Sequence, residues 1–140
     1  MKKKNLTEKK YWGNMKSEDW VEDVPLKSLF HKYLKKDNGN MLEIGCVPSR
    51  FLAYLSREFG YFPEGIDYIE NAEEITKQTL SNNGIRDFKV YNSDFNKWKT
   101  KKRYDLVCSF GFIEHFKNPE KIIKKHIDLM KDNGKLIIDV

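Results

Sequence analysis

Met41-Leu42-Glu43-Ile44-Gly45-Cys46 constrains this chain more than any other stretch. It is a short apolar run that ends on a glycine. A second such run closes at Gly65-Ile66-Asp67. Between them lies Arg50 to Phe59, whose apolar positions recur at helical spacing. A strand, a glycine turn, a helix and a second strand form a crossover unit, and crossover units build parallel sheets. In open α/β sheets, ligands sit beyond the carboxyl ends of the strands. Here that end carries acids, and an acid placed as Asp67 is can accept hydrogen bonds from both hydroxyls of a ribose. The pattern therefore points to a nucleoside-containing ligand.

The alternation continues to the end of the sequence. Asp23 and Pro25 suit a helix start, and Leu26, Leu29, Phe30, Tyr33 and Leu34 mark one buried helix face. Asp37-Asn38-Gly39-Asn40 turns the chain into a first strand at 41–45. A helix at 49–59, a strand at 62–67 and a helix at 70–82 follow, the last closed by Asn82-Asn83-Gly84. Strands are expected at 87–92 and 104–109. A helix starting at Asn118-Pro119-Glu120 should turn Ile122, Ile123, Ile127 and Met130 inward and end at Asp132-Asn133-Gly134. Residues 135–140 read as a fifth strand. The expected fold is α/β, a doubly wound and mainly parallel sheet of about five strands with an N-terminal helix packed on it. Residues 1–22 read as a leader, basic and mobile over its first ten residues and aromatic after that, and residues 23–140 as the domain.

The chain has 140 residues, enough for one domain with a substantial core, and 39% of them are hydrophobic, which excludes a largely disordered chain. No apolar run reaches the roughly 20 residues of a membrane span. No apolar region follows the basic start, so a secretory signal is not expected. Cys46 and Cys108 lack metal-ligand spacing and fit a reducing, cytoplasmic setting. The net charge of +5 is concentrated at Lys2–Lys10 and Lys97–Arg103, where a basic stripe beside Trp98 could meet phosphates. Acidic residues are spread nearly as widely, so solvated lysines are the favoured reading and nucleic acid is a less favoured partner.

Taken in order, these segments resemble the class I S-adenosylmethionine-dependent methyltransferases. The likeness covers residues 41 to 140. It rests on Leu42-Glu43-Ile44-Gly45-Cys46, Gly65-Ile66-Asp67-Tyr68, Asn92-Ser93-Asp94-Phe95, Tyr104 to Ser109, and Phe112-Ile113-Glu114-His115, with Lys131 to Leu136 as the turn into strand five. The resemblance implies a Rossmann-like fold with S-adenosyl-L-methionine as cofactor. It implies cofactor contacts at Glu43, Gly45, Cys46, Asp67, Tyr68, Asp94, Phe95 and Ser109. In that assignment Gly45 admits the cofactor where a Cβ would clash. Glu43 holds the ammonium of the methionine part and Asp67 the ribose. Tyr68 and Ile69 lie on the adenine face, Asp94 takes the adenine amino group, and Phe95 packs on the ring. Ser109 and Phe110 line the floor near the sulfonium. His115 is the weak candidate for a general base, its ordinary pKa lying near neutrality.

Two departures stand out. The family turn carries glycines at the places of Gly45, Val47 and Ser49, and here only the first remains, so a side chain at 49 is expected to crowd the methionine moiety. The family also continues past strand five with a helix and two further strands. On that comparison the chain reads as C-terminally truncated, and the apolar edge at Leu136–Val140 invites pairing with another chain, including a second copy.

Methyl transfer from a sulfonium is an in-line displacement in which the protein mainly orients and desolvates the partners, so no invariant catalytic residue is required. The expected activity is transfer to an unidentified acceptor, with a small molecule or saccharide favoured. A nicotinamide-binding domain is the rival enzyme reading, but its G-x-G-x-x-G fingerprint is interrupted by Val47 and Arg50. A methyltransferase-like domain that binds without turnover, or an inactive fragment, is the alternative outside catalysis.

Overall fold

The computed structural model describes Trp12 and residues 14–140. The expected basic leader at 1–10 lies outside the described residues. The elements run α1 (Lys27–Tyr33), β1 (Asn40–Ile44), α2 (Arg50–Phe59), β2 (Phe62–Asp67), α3 (Ala72–Asn82), β3 (Lys89–Asn92), β4 (Tyr104–Phe110), a 3₁₀ turn (Ile113–His115), α4 (Pro119–Asp128) and β5 (Met130–Asp139). The sheet is five-stranded in the order β3-β2-β1-β4-β5, and every neighbouring pair is parallel. Among the described residues no helix is long and apolar enough to cross a membrane.

Strand alternation divides the core into two layers. Met41 and Leu106 and Cys108 of β4 pack under α1, α2 and α3, with Phe30, Leu52, Leu55 and Leu80. Leu42, Ile44, Ile66 and Val107 face the opposite way, against Ile122 of α4, Phe95 and Ile113. Helices thus cover both faces, as expected for a doubly wound sheet. Burying an aliphatic side chain this completely contributes about 1.5–3 kcal/mol, and Met41, Leu42, Ile44, Leu52, Leu55, Leu106 and Val107 are all fully buried.

Three expectations need correction. Leu29 and Tyr33, expected on the buried face of α1, are 48% and 60% exposed, because the helix has only seven residues and presents just Phe30 to the core. Ile127 is 47% exposed, and α4 ends at Asp128 rather than near 132. Met130 leaves the helix to pair with Tyr104, after which residues 131–134 bulge out and the ladder resumes at Lys135 opposite Leu106. The helical apolar spacing that ran on to Met130 gives way to sheet pairing.

The segment before α1 is strapped to α2 and α3. Glu18 N–H donates to Thr79 Oγ1 and Val21 N–H to Asn83 Oδ1, each at 2.9 Å. Asn82 and Asn83 donate back to the carbonyls of Glu18 and Asp19. The Arg57 guanidinium lies 4.0 Å over the Trp20 ring and donates to the Val21 carbonyl at 2.7 Å. The aromatic segment is thereby packed on the domain.

Candidate functional site

A cavity of about 420 Å³ opens at the carboxyl ends of the strands. Its floor is the turn after β1, which the fold holds tightly. Gly45 N–H donates to the Ile66 carbonyl at 2.9 Å and Val47 N–H to Asp67 Oδ2 at 3.1 Å. Gly45 has φ +70°, and a Cβ there would lie 2.7 Å from Phe112 Cδ2. Both the backbone conformation and the ring above it therefore call for glycine.

Ser49 reaches the conformation that glycine ordinarily supplies. Its φ is 75°, it is fully buried, and its hydroxyl pairs with Thr76 Oγ1 of α3 at 2.8 Å. That bond is the physical counterpart of the missing glycine, since it anchors a residue in the left-handed region.

Glu43, on the last turn of β1 toward the cavity, is the unusual group. It is buried to 4% exposure, and its Oε2 has no hydrogen-bond partner among the described residues. Burial pushes its carboxyl well above the ordinary carboxylate range. The Leu52 backbone amide pulls it partly back, and the Asp67 charge pushes it up again. A buried carboxyl oxygen without a donor costs on the order of 1–3 kcal/mol. The Cys46 thiol lies on the same wall, and burial raises its pKa too, with Glu43 and Asp67 adding to the effect.

Asp67 closes β2 on the same cavity. Its Oδ1 accepts the Ile69 N–H at 3.1 Å, as its Oδ2 accepts that of Val47. Both bonds hold the Asp67 carboxylate in place at the cavity, and a carboxylate accepts up to about four donors. Tyr68 follows on the rim, 37% exposed.

Asp94 and Phe95 follow β3. The loop is pinned beneath by Asn92, whose side chain donates to the Asp67 carbonyl at 3.1 Å, and by Lys125 of α4, which donates to the carbonyls of Phe95 and Trp98. Burial lowers the Lys125 pKa. Asp94 Oδ1 accepts the Asn96 N–H at 2.9 Å and the residue lines the cavity. Phe95 is buried, its ring edge-on to Phe112 at 5.9 Å and to His126 at 5.4 Å.

Ser109 is a correction. It is fully buried and off the cavity wall, and its hydroxyl meets His126 Nε2 at 3.0 Å. Strand alternation is the reason: Phe110 points to the cavity and Ser109 points to α4. His126 in turn bonds the Ile122 carbonyl through Nδ1 at 2.8 Å, and burial lowers its pKa. His126 is thus structural. His115 stands on the cavity wall with the Trp12 ring edge-on at 6.4 Å.

The structure brings Glu43, Gly45, Cys46, Asp67, Tyr68, Asp94, Phe95 and His115 to one cavity. Sequence reasoning missed Phe51, Met15 and Glu18 as cavity wall. Their contacts span the chain, and no local pattern marks them.

A family profile described as "Methyltransferase domain" matches residues 14–140. The chain belongs to this family. It is 28% identical over 112 residues to (S)-coclaurine N-methyltransferase of Papaver somniferum, covering 74% of this chain and 30% of that protein. It is 29% identical over 122 residues to the ubiquinone biosynthesis O-methyltransferase of Pelagibacter ubique, covering 86% and 48%. The chain thus spans half or less of these relatives' length. In three dimensions it superposes with a TM-score of 0.70 and 15% identity on a SAM-dependent methyltransferase from Thiobacillus denitrificans solved with S-adenosyl-L-homocysteine, covering 99% of this chain and 56% of that one. The methyltransferase resemblance and the Rossmann-like sheet are both borne out.

Proposed function

We propose that this chain binds S-adenosylmethionine in the β1–β4 cavity and serves methyl transfer to a small-molecule acceptor. The observation that carries this reading is Glu43 Oε2, a buried acceptor on a cavity wall with no donor among the described residues. Such an atom fits a ligand that arrives with an N–H group. The remaining residues fit the rest of the cofactor. Asp67 would take the ribose hydroxyls, Asp94 the adenine amino group, and Phe95 and Tyr68 the ring faces. Gly45 would keep the floor open where a side chain would not fit.

When bound, S-adenosylmethionine supplies an activated methyl group on a sulfonium. The chain's own share is positioning and exclusion of water. Glu43, ionised, would neutralise the ammonium it holds. Phe110 and Phe112 would surround the reacting end with apolar surface, which strengthens charge interactions there. His115 would accept a proton from a hydroxyl acceptor, as the sequence-based candidate for a base. Relatives named as an N- and an O-methyltransferase support a small-molecule acceptor of either kind.

Titration calorimetry with S-adenosylhomocysteine tests the cofactor half. Saturable binding at one site, lost in Asp67→Ala, is the expected result. Absence of binding at millimolar ligand would overturn the reading.

A further inference from the structure

The acceptor's chemistry can be narrowed from the two halves of the cavity, an inference that rests on the cofactor reading above. Strand order divides the cavity. Asp67 and Asp94 follow β2 and β3 on one side of β1, whereas Phe110, Phe112, His115 and Phe116 come from β4 and the turn after it on the other side. The β4 half is aromatic. Phe51 stacks on Phe110 with centroids 3.7 Å apart and planes 11° apart. Phe112 and Phe116 tilt together at 4.9 Å, and Trp12 closes edge-on to His115.

Among the described residues, charge is nearly absent from this half. The chain carries 26 lysines and arginines, yet no described lysine lines the cavity. Its one lining arginine, Arg50, is paired with Glu18 at 3.8 Å. A phosphate-bearing acceptor would need free cations to offset its charge, and a sugar would need a set of polar partners for its hydroxyls. Aromatic faces instead favour a flat apolar ring, through offset and edge-on contacts.

We infer that the acceptor is an uncharged, ring-bearing small molecule, held by Phe116, Phe112 and Trp12 against the stacked Phe51–Phe110 pair. Nucleic acid is the less favoured partner on sequence grounds, and among the described residues Arg50, paired with Glu18, is the one lysine or arginine on the cavity wall.

The test uses 2-naphthol as probe, with 2-naphthyl phosphate and methyl glucoside as comparators, titrated into the chain saturated with S-adenosylhomocysteine. The expected result is saturable binding of 2-naphthol alone, weakened about tenfold by Phe116→Ala and by Trp12→Ala. The affinity for S-adenosylhomocysteine should change less than about twofold in both variants, since neither residue is on the carboxylate side. Two variants on separate elements, each checked by its melting curve, separate a binding effect from a folding effect. Equal binding of the phosphate or the glucoside overturns the inference, as does displacement of S-adenosylhomocysteine by 2-naphthol. Failure of S-adenosylhomocysteine itself to bind is seen in the first titration. It overturns the cofactor reading and this inference with it, whereas cofactor binding without naphthol binding overturns this inference alone.

Discussion

Replacing Glu43 by glutamine should change both cofactor affinity and the pH dependence of stability, in a linked way. Burial and the Asp67 charge raise the Glu43 pKa well above its ordinary 4.5. The folded state therefore holds a proton there that the unfolded chain has released. Stability contributed by that proton is present below the ordinary carboxylate range and is lost as pH rises through the raised folded value. Glu43→Gln removes this slope, so the variant should be more stable than wild type at pH above that window and similar below it. Cofactor binding should move the other way. A charge-assisted hydrogen bond contributes about 1.5–3 kcal/mol, and about 1.4 kcal/mol is a factor of ten. The variant should then bind S-adenosylmethionine roughly 10- to 150-fold more weakly at high pH, where wild-type Glu43 ionises most readily. The loss should shrink at lower pH, where ionising Glu43 for the ammonium offsets part of the gain. Calorimetric titrations and melting curves of both proteins across pH supply the comparison. A variant with wild-type affinity at every pH, or with the same stability slope, would refute the argument.

Four further outcomes follow from single contacts. Gly65→Ala places a Cβ 2.6 Å from Cys46 Sγ and 2.8 Å from Cys46 Cβ, and overpacking of this kind should cost about 1–3 kcal/mol in chemical denaturation. Lys102→Met leaves the fully buried Glu64 with only Tyr91 and Tyr104 hydroxyls and the distant Asn40 amide. It should destabilise by about 3 kcal/mol, and adding Glu64→Gln should recover much of that in a double-mutant cycle. His126 has its pKa depressed by burial from an ordinary 6.5, so its contribution is present above that value and is lost as pH falls through the lower folded value. His126→Gln should flatten the acid side of the melting-temperature profile. Ser49→Gly relieves a left-handed serine, worth about 1 kcal/mol, but forfeits the Thr76 bond, worth about the same. Stability should stay near wild type, and a loss above about 2 kcal/mol would contradict that balance.

The strands and the carboxylates at their ends were legible because their signals are local. An apolar run ending in Gly45 or Asp67 announces a strand and its exit, and β2 occupies the expected Phe62–Asp67. Side-chain direction was harder to read. Ser109 and Phe110 differ by one position, and that step sends one to His126 and the other to Phe51. Leu29 and Ile127 carry helical apolar spacing but are about half exposed, at 48% and 47%. Their spacing marks a helix, while the depth of a helix face is set by its neighbours. The turn at Ser49 was legible as a departure, but its remedy was not, because the Thr76 partner lies 27 residues away. The aromatic half of the cavity was legible only in part, at Phe110 and His115, because Trp12 and Phe51 join it from the arm and α2.

The central claim is that carboxylates from β1, β2 and the loop after β3 grip one adenosyl ligand. A structure of the chain with S-adenosylhomocysteine tests it directly. The account predicts the ligand's amino group within hydrogen-bonding distance of Glu43 Oε2, about 2.7–3.2 Å, its ribose on Asp67 and its adenine beside Asp94. A ligand seated elsewhere, or a bound ligand that leaves Glu43 Oε2 without a contact to its amino group, would contradict it.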